Sequence, residues 1–307
     1  MNETTHDPER LPTAIAGTGA VGTALARRMA ACGYPVAAVL SRTRANAEAL
    51  ATRVGASVAS ADWADLPADV RSVMLCVPDD AIAEVARRLR TTPHDWPATI
   101  VAHTSGALTA RALAPLASAG SAVMSFHPLQ TFTRDSSPTV FEDIYIGVEG
   151  DDLAVAWGQE LARLLGAEPV VIDTDAKTQY HLAAAVASNG LVALMGIVEE
   201  IVASAGIETE RARALVRPLV EQTWRNLLQG RPQDVLTGPA SRGDVDTIAR
   251  HTDALTDHLP HLLPVYAALT TEMVRLAVRG ETLDAARAEV LMNHLHAALQ
   301  PDSNASD

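Results

Sequence analysis

The first half of the chain alternates short apolar runs with amphipathic stretches. Strand-like runs stand at 13–17 (TAIAG), 35–40 (PVAAVL), 72–77 (SVMLCV), 98–103 (ATIVAH) and 121–126 (SAVMSF). Segments of helical periodicity lie between several of them, such as 79–90 (DDAIAEVARRLR) and 108–118 (LTARALAPLAS). Near-continuous apolar strands separated by helices predict a parallel sheet covered on both faces. The runs 144–150 (IYIGVEG) and 169–173 (PVVID) predict two more strands joined by a helix over 151–166. After Asp173 the period changes. Residues 182–206, 211–229, 251–279 and 283–299 read as long helices, with Pro260 and Pro264 kinking or dividing the third. The predicted class is α/β: a doubly wound parallel sheet at 11–173, then an all-α domain at 174–300, with flexible tails at 1–10 and 301–307.

Gly17-Thr18-Gly19-Ala20-Val21-Gly22 directly follows the first apolar run and opens a helical stretch. That is the context a dinucleotide-binding turn requires, so the first domain is predicted to be a dinucleotide-binding Rossmann domain. Gly17 permits the tight turn, Gly19 lets pyrophosphate approach the backbone, and Gly22 lets helix and strand pack closely. The helix start offers unpaired N–H groups to phosphate. The second strand runs into Ser41-Arg42-Thr43-Arg44, with no carboxylate at its end to take ribose hydroxyls. A guanidinium between hydroxyls suits a 2′-phosphate, so the expected cofactor is NADPH, with Ser41, Arg42 and Thr43 holding that phosphate.

Ligands of such sheets bind beyond the carboxyl ends of the strands. Three of these ends carry chemistry: Val77-Pro78-Asp79-Asp80, His103-Thr104-Ser105-Gly106, and Ser125-Phe126-His127-Pro128-Leu129-Gln130. Val77 and Pro78 are candidate cofactor contacts, and Ser105 and His127 candidate substrate contacts. Asp79 and Asp80 read as the cap of the next helix. His103 and His127 stay open between a pocket role and a structural hydrogen bond. Further on, Lys177, His181 and Ser188 fall within about 40° of one another on a helical wheel. Tyr180 flanks that face, and Asn189 lies about 120° from Lys177. A Lys and a His at the start of an apolar helix are candidate proton donors to a carbonyl under reduction; the alternative is a solvated first turn. Arg242, in the turn-rich stretch 237–244, is a candidate clamp for a carboxylate.

Composition narrows the partners. The formal net charge of −13 over 307 residues argues against general binding to nucleic acid or anionic membrane. No run of 18 or more apolar residues occurs, which argues against a membrane span. The start, MNETTHDPER, lacks the pattern of a secretory signal, and Cys32 and Cys76 read as reduced thiols, so a cytoplasmic setting is expected. Aromatic residues are only 4 %, so the cores must be built from Ala, Val and Leu. The 10 histidines include no H-E-x-x-H, and the cysteines form no C-x-x-C, so no metal site is expected.

Taken together, GTGAVG (17–22), LSRT (40–43), CVPDDAI (76–82), HTSGAL (103–108), SFHPLQTF (125–132), KTQYHLAAAVASN (177–189) and LTGPASRGD (236–244) carry a resemblance. The chain resembles, over residues 11–280, a bacterial family that joins a Rossmann-like half to a helical half long catalogued as a domain of unknown function. That family is similar to the 6-phosphogluconate and β-hydroxyacid dehydrogenase-like group. Some members look like alternative ketopantoate reductases, which reduce 2-dehydropantoate with NADPH. The resemblance implies an NADPH-dependent reductase, a homodimer through its helical half. Gly190 departs from the pattern, where an aromatic is expected, and leaves more room beside the pocket.

The expected reaction is hydride transfer to the carbonyl carbon of a small anionic 2-oxo acid, of the 2-dehydropantoate kind. Lys177 is the first choice of general acid and His181 the second; Asn189 and His127 orient the carbonyl. Ser105 and Ser188 line the substrate and Arg242 holds its carboxylate. Three alternatives remain: an imine or pyrroline-carboxylate-type reductase, a hydroxy-acid dehydrogenase, and a non-enzymatic NADPH-binding sensor or scaffold.

Overall fold

The structure, a computed structural model, describes residues 10–300. The expected tails lie outside the described residues except for Arg10, whose guanidinium donates to the Gly33 carbonyl at 2.9 Å. Packing divides the chain into two units that meet in sequence at Asn189 and Gly190. The pattern of the sequence changes earlier, at Asp173; the packing boundary falls within the helical stretch that follows.

The first unit runs β1 (Thr13–Ala16), α1 (Ala20–Ala31), β2 (Val36–Leu40), α2 (Arg44–Val54), β3 (Val58–Ser60), β4 (Ser72–Leu75), α3 (Asp79–Arg90), β5 (Ile100–His103), α4 (Ala114–Ala117), β6 (Ala122–Pro128), β7 (Tyr145–Gly150), α5 (Asp152–Leu164), β8 (Glu168–Val171) and α6 (Lys177–Ala185). Its eight-stranded sheet has the order β3-β2-β1-β4-β5-β6-β7-β8. Neighbours are parallel except β6 and β7. The link from β6 to β7 holds only a short 3₁₀ turn, Pro138–Phe141, and no crossover helix of the kind a parallel return requires. The α/β class read from the sequence stands. Strand β3, three residues at the sheet edge, is the strand that the pattern did not mark.

Alternation along each strand gives the sheet two apolar faces. Ile15, Met74, Ala102 and Met124 pack into one core with Leu25, Met29 and Leu161. Ala16, Leu75, Val101 and Val123 pack into the other with Ile82, Val85 and Leu89 of α3. Helix α3 shows why: its apolar residues recur at helical spacing, while Glu84 pairs outward with Arg87 and Arg88. One register row crosses the sheet as Ala16, Leu75, His103, Ser125 and Glu149. It begins apolar and turns polar, and all five are buried. This row positions the site described below. Between β1 and β4 the chain connections change direction, which leaves a crevice at the strand ends.

The second unit is helical: α7 (Leu191–Ser204), α8 (Thr209–Leu227), α9 (Pro232–Val235), α10 (Pro239–Arg242), α11 (Val245–His258), α12 (Leu263–Arg279) and α13 (Ala285–Ala298). Ile248, Val274, Leu291 and Leu295 centre its larger core. The predicted third helix is divided: α11 ends at His258, Pro260 opens a 3₁₀ turn, and Pro264 sits in the first turn of α12. A proline there needs no N–H donor. The helical stretch Thr174–Ser204 is, by length and composition, apolar enough to cross a membrane, with a mean hydropathy of 1.7 over an unburied window. It is not one unbroken apolar run, because Ser188, Asn189 and Gly190 interrupt it. Exposed apolar side chains continue on α8, where Leu219 is 69 % and Trp224 58 % exposed.

Candidate active site

The glycine turn closes against the strand ends. Gly17 has φ 115°, and a Cβ there would stand 2.3 Å from the Cys76 carbonyl oxygen. A Cβ at Gly22 would stand 2.2 Å from the Gly17 carbonyl oxygen, so the first turn of α1 packs directly on the loop. Gly19 differs: nothing lies within 4 Å of its Cβ position. It is the N-cap of α1, no side chain caps that helix, and no acidic residue stands in its first turn. Its leading N–H groups, through Ala20 and Val21, are thus available to an anion. Thr18 Oγ1 bonds Ser41 Oγ at 2.9 Å, fixing the turn to the end of β2. Arg42 and Thr43 are exposed beside it. Arg44 is taken by Glu48 at 2.9 Å, whereas Arg42 has no ion-pair partner among the described residues. Val77, half-buried, packs toward Gly17, and Pro78 is exposed next to it.

The polar end of the register row forms a second cluster, held by α6. Lys177 is fully buried, and its Nζ donates to Ser125 Oγ at 2.5 Å. Ser125 Oγ in turn donates to the Ser105 carbonyl at 3.1 Å. Burial pulls the Lys177 amine down to about 8, against the opposing pull of the Glu149 and Asp79 carboxylates. Glu149 is committed elsewhere: Oε2 accepts the Ala110 N–H and Oε1 the Thr174 hydroxyl, each at 2.8 Å. His103 Nδ1 accepts the Ser105 N–H at 3.2 Å, so its Nε2 carries the proton and donates to the Thr109 carbonyl at 3.0 Å. Burial, with Lys177 adding to it, pushes His103 down to about 4. Its open reading resolves to a neutral, structural histidine.

Ser105 also departs from its expected part. Its hydroxyl donates to Asp79 Oδ2 at 2.8 Å and accepts the N–H groups of Ala107 and Leu108 at 3.2 and 3.0 Å. Those bonds fold the loop and leave little capacity for a ligand. Asp79 and Asp80 do not cap α3, whose N-cap is Pro78; they lie in its first turn, where their charge suits the helix dipole.

His127 and His181 meet at Gly106. A Cβ on Gly106 would stand 2.6 Å from both His127 Nε2 and His181 Nδ1, so the two nitrogens are at most 5.2 Å apart. His181 Nδ1 is buried and has no hydrogen-bond partner among the described residues, an uncommon state for a buried polar atom. His127 Nδ1 lies 3.0 Å from Tyr180 Oη, with the rings edge to face at 5.6 Å. Gly147, paired with His127 across the strands, makes room for that phenol: a Cβ there would stand 2.6 Å from Oη. Burial pushes His127 down to about 4, with Lys177, His181 and His103 adding to it, and pushes the Tyr180 phenol up to about 12. The cluster therefore places two neutral imidazoles, His103 and His127, beside one buried amine whose hold on its proton burial has loosened.

Lys177, His181 and His127 are thus brought together. Ser188 and Asn189 lie in a π-helical turn, Val186–Gly190, so the α-helical spacing that related them to Lys177 does not carry through. Ser188 is half-buried and Asn189 exposed. Arg242 ends α10 in the helical unit and is exposed. Ser125 and Gly106 stand in strand-end stretches marked in the sequence but had no role assigned there, and Glu149 and Gly147 were not singled out. Only a known strand register could have placed Ser125 and Glu149 opposite each other. Among the described residues no group of three or more His, Cys, Asp or Glu is placed to hold a metal ion.

Comparison with known proteins follows the same division. Residues 2–128 match the Rossmann-like domain model, and residues 144–273 match a domain of unknown function, DUF2520. No curated protein matches the chain. Among solved structures, protein TM1727 from Thermotoga maritima is 25 % identical with a TM-score of 0.70, over 88 % of this chain and 99 % of that one. A Bacteroides fragilis protein, BF3122, provisionally named an NADP oxidoreductase, is 23 % identical with a TM-score of 0.69, over 86 % and 98 %. A reductive aminase from Aspergillus terreus, in complex with NADPH and ethyl-5-oxohexanoate, is 20 % identical with a TM-score of 0.59, over 94 % and 93 %. The chain thus carries a Rossmann-like N-terminal domain and a C-terminal domain of the DUF2520 type.

Proposed function

We propose that the protein is an NADPH-dependent reductase of a small 2-oxo acid, of the kind of 2-dehydropantoate. The uncapped start of α1, the open backbone at Gly19 and the unpaired Arg42 fit a pyrophosphate and a 2′-phosphate. Residues 17–22 would hold the first, and Ser41, Arg42 and Thr43 the second. When bound, NADPH supplies a hydride to the carbonyl carbon.

The observation that carries the reading is the register row. It starts at Ala16, just before the glycine turn, and reaches Ser125, which holds Lys177. Three strand spacings separate those ends, about 14 Å along the sheet. Lys177 serves as the acid for the developing alkoxide, since a buried amine near pKa 8 yields its proton readily. Its charge also stabilises that alkoxide in a low-dielectric setting. His127 and His181 orient the carbonyl at the Gly106 notch. A second copy of the chain is assigned to cover the exposed apolar side chains of α7 and α8, Val192 and Leu219 among them.

A second reading is reduction of a C=N bond, favoured by the likeness to an NADPH-bound reductive aminase. Spectrophotometric NADPH oxidation, with a panel of 2-oxo acids and one of cyclic imines, separates the two. Turnover with oxo acids is the expected result. Turnover confined to imines would transfer the function to the second reading, and none with either would leave a binding protein.

A further inference from the structure

Resting on the reductase reading, we infer that Tyr180 is a positioning residue: its O–H donates to His127 Nδ1, holds that ring in the Nε2–H form, and presents Nε2–H at the Gly106 notch as a donor. The geometry has three parts. Tyr180 Oη lies 3.0 Å from His127 Nδ1, and the Gly147 backbone N–H also bonds that oxygen, which leaves the phenol proton for the imidazole. Gly147 is bare where a Cβ would come within 2.6 Å of Oη, so β7 leaves the phenol the space it needs. Gly106 is bare where His127 Nε2 arrives, and His127 Nε2 has no hydrogen-bond partner among the described residues.

The proton on this bond has two places to be. If Nδ1–H donated to the phenol, the phenol proton would have no acceptor among the described residues, which costs free energy in a partly buried site. If the phenol donates, its proton and Nδ1 are both paired, and Nε2 must carry the ring proton. The one group then left unpaired is Nε2–H at the Gly106 notch, against both the phenol proton and the Nε2 lone pair in the other arrangement. Burial keeps the phenol protonated and the imidazole neutral, in accord with that arrangement. The consequence is a substrate preference. A fixed Nε2–H accepts a reacting atom with a lone pair, a carbonyl oxygen or a neutral imine nitrogen. It opposes the N–H of a protonated iminium, where two donors would face each other.

The test has a readout that needs no turnover. Nitrogen-15 NMR of labelled histidines, with the His127 signals assigned by their loss in His127→Phe, should show the Nε2–H tautomer alone in the wild-type protein. Tyr180→Phe should shift it toward the mixture of a free imidazole. The same variant should lower kcat on the oxo acid about tenfold or more through lost orientation. NADPH affinity and KM should change less than about twofold, and the ratio of imine to oxo-acid turnover should rise. An Nδ1–H tautomer in the wild type overturns the inference without any variant. So does a Tyr180→Phe protein with unchanged tautomer and unchanged oxo-acid kcat. Absence of turnover on both substrate classes would sink the reductase reading instead, while the tautomer still decides what Tyr180 does to His127.

Discussion

Replacing Lys177 with methionine should make the protein more stable and nearly inactive. The amine is fully buried, and its pKa stands at about 8 against an ordinary 10.5. At about 1.4 kcal/mol per pH unit, that depression corresponds to about 3 kcal/mol by which the folded state disfavours the charged form. The value already contains the attraction of Glu149 and Asp79. Methionine keeps the length of the stem and carries no charge, so at pH 7 Lys177→Met should gain at most about 3 kcal/mol. Ser125 retains its bond to the Ser105 carbonyl. The gain has a required pH dependence. Between about pH 8 and 10.5 the unfolded chain still binds the lysine proton that the folded protein has released, so wild-type stability rises relative to the variant. Above that window the amine is neutral in both states and the difference vanishes. Urea unfolding of both proteins, from pH 7 to pH 11, measures the difference directly, with other titrating groups cancelling. Turnover should fall by orders of magnitude, with NADPH affinity nearly intact. A variant less stable at pH 7, or a difference flat across the range, would refute the reasoning.

Other expectations follow from the same geometry. Gly22→Ala places a Cβ 2.2 Å from the Gly17 carbonyl, and backbone cannot yield cheaply. The variant should lose about 1–3 kcal/mol in urea unfolding and bind NADPH more weakly. Arg42→Ala touches an exposed, unpaired side chain, so the melting temperature should hold. Its NADPH affinity should fall about ten- to a hundredfold by calorimetry, with NADH affinity unchanged. Gly106→Ala drives a methyl against His127 and His181; kcat should fall while fluorescence titration finds NADPH binding preserved.

The strands and most helices were legible because their patterning is local. Alternating apolar runs marked seven strands, and Pro260 marked the break after α11. Strand β3 was not legible, since three residues of Val, Ala and Ser carry too little period to register. The antiparallel direction of β7 was also hidden, because a run of residues does not state its partner. The glycine turn between β1 and α1 could be read from its spacing together with the apolar run before it and the helical stretch after it. The polar cluster could not. Lys177 drew notice through its place on an apolar helix, but its partner Ser125 is 52 positions away in sequence and known only from the packing. Ser105 shows the opposite failure: a serine after a strand suggested a ligand contact, and its hydroxyl is instead consumed by Asp79 and its own loop. The π-turn at Val186–Gly190 defeated a wheel drawn at one fixed angle per residue.

The central claim is that a phosphorylated dinucleotide binds at the uncapped start of α1 and reaches Arg42. Isothermal titration of the full chain with NADPH, beside a parallel titration with NADH, tests it most directly. NADPH should be taken up saturably at one site per chain, with NADH bound markedly more weakly. No saturable uptake of NADPH, or equal affinity for the two nucleotides, would contradict it.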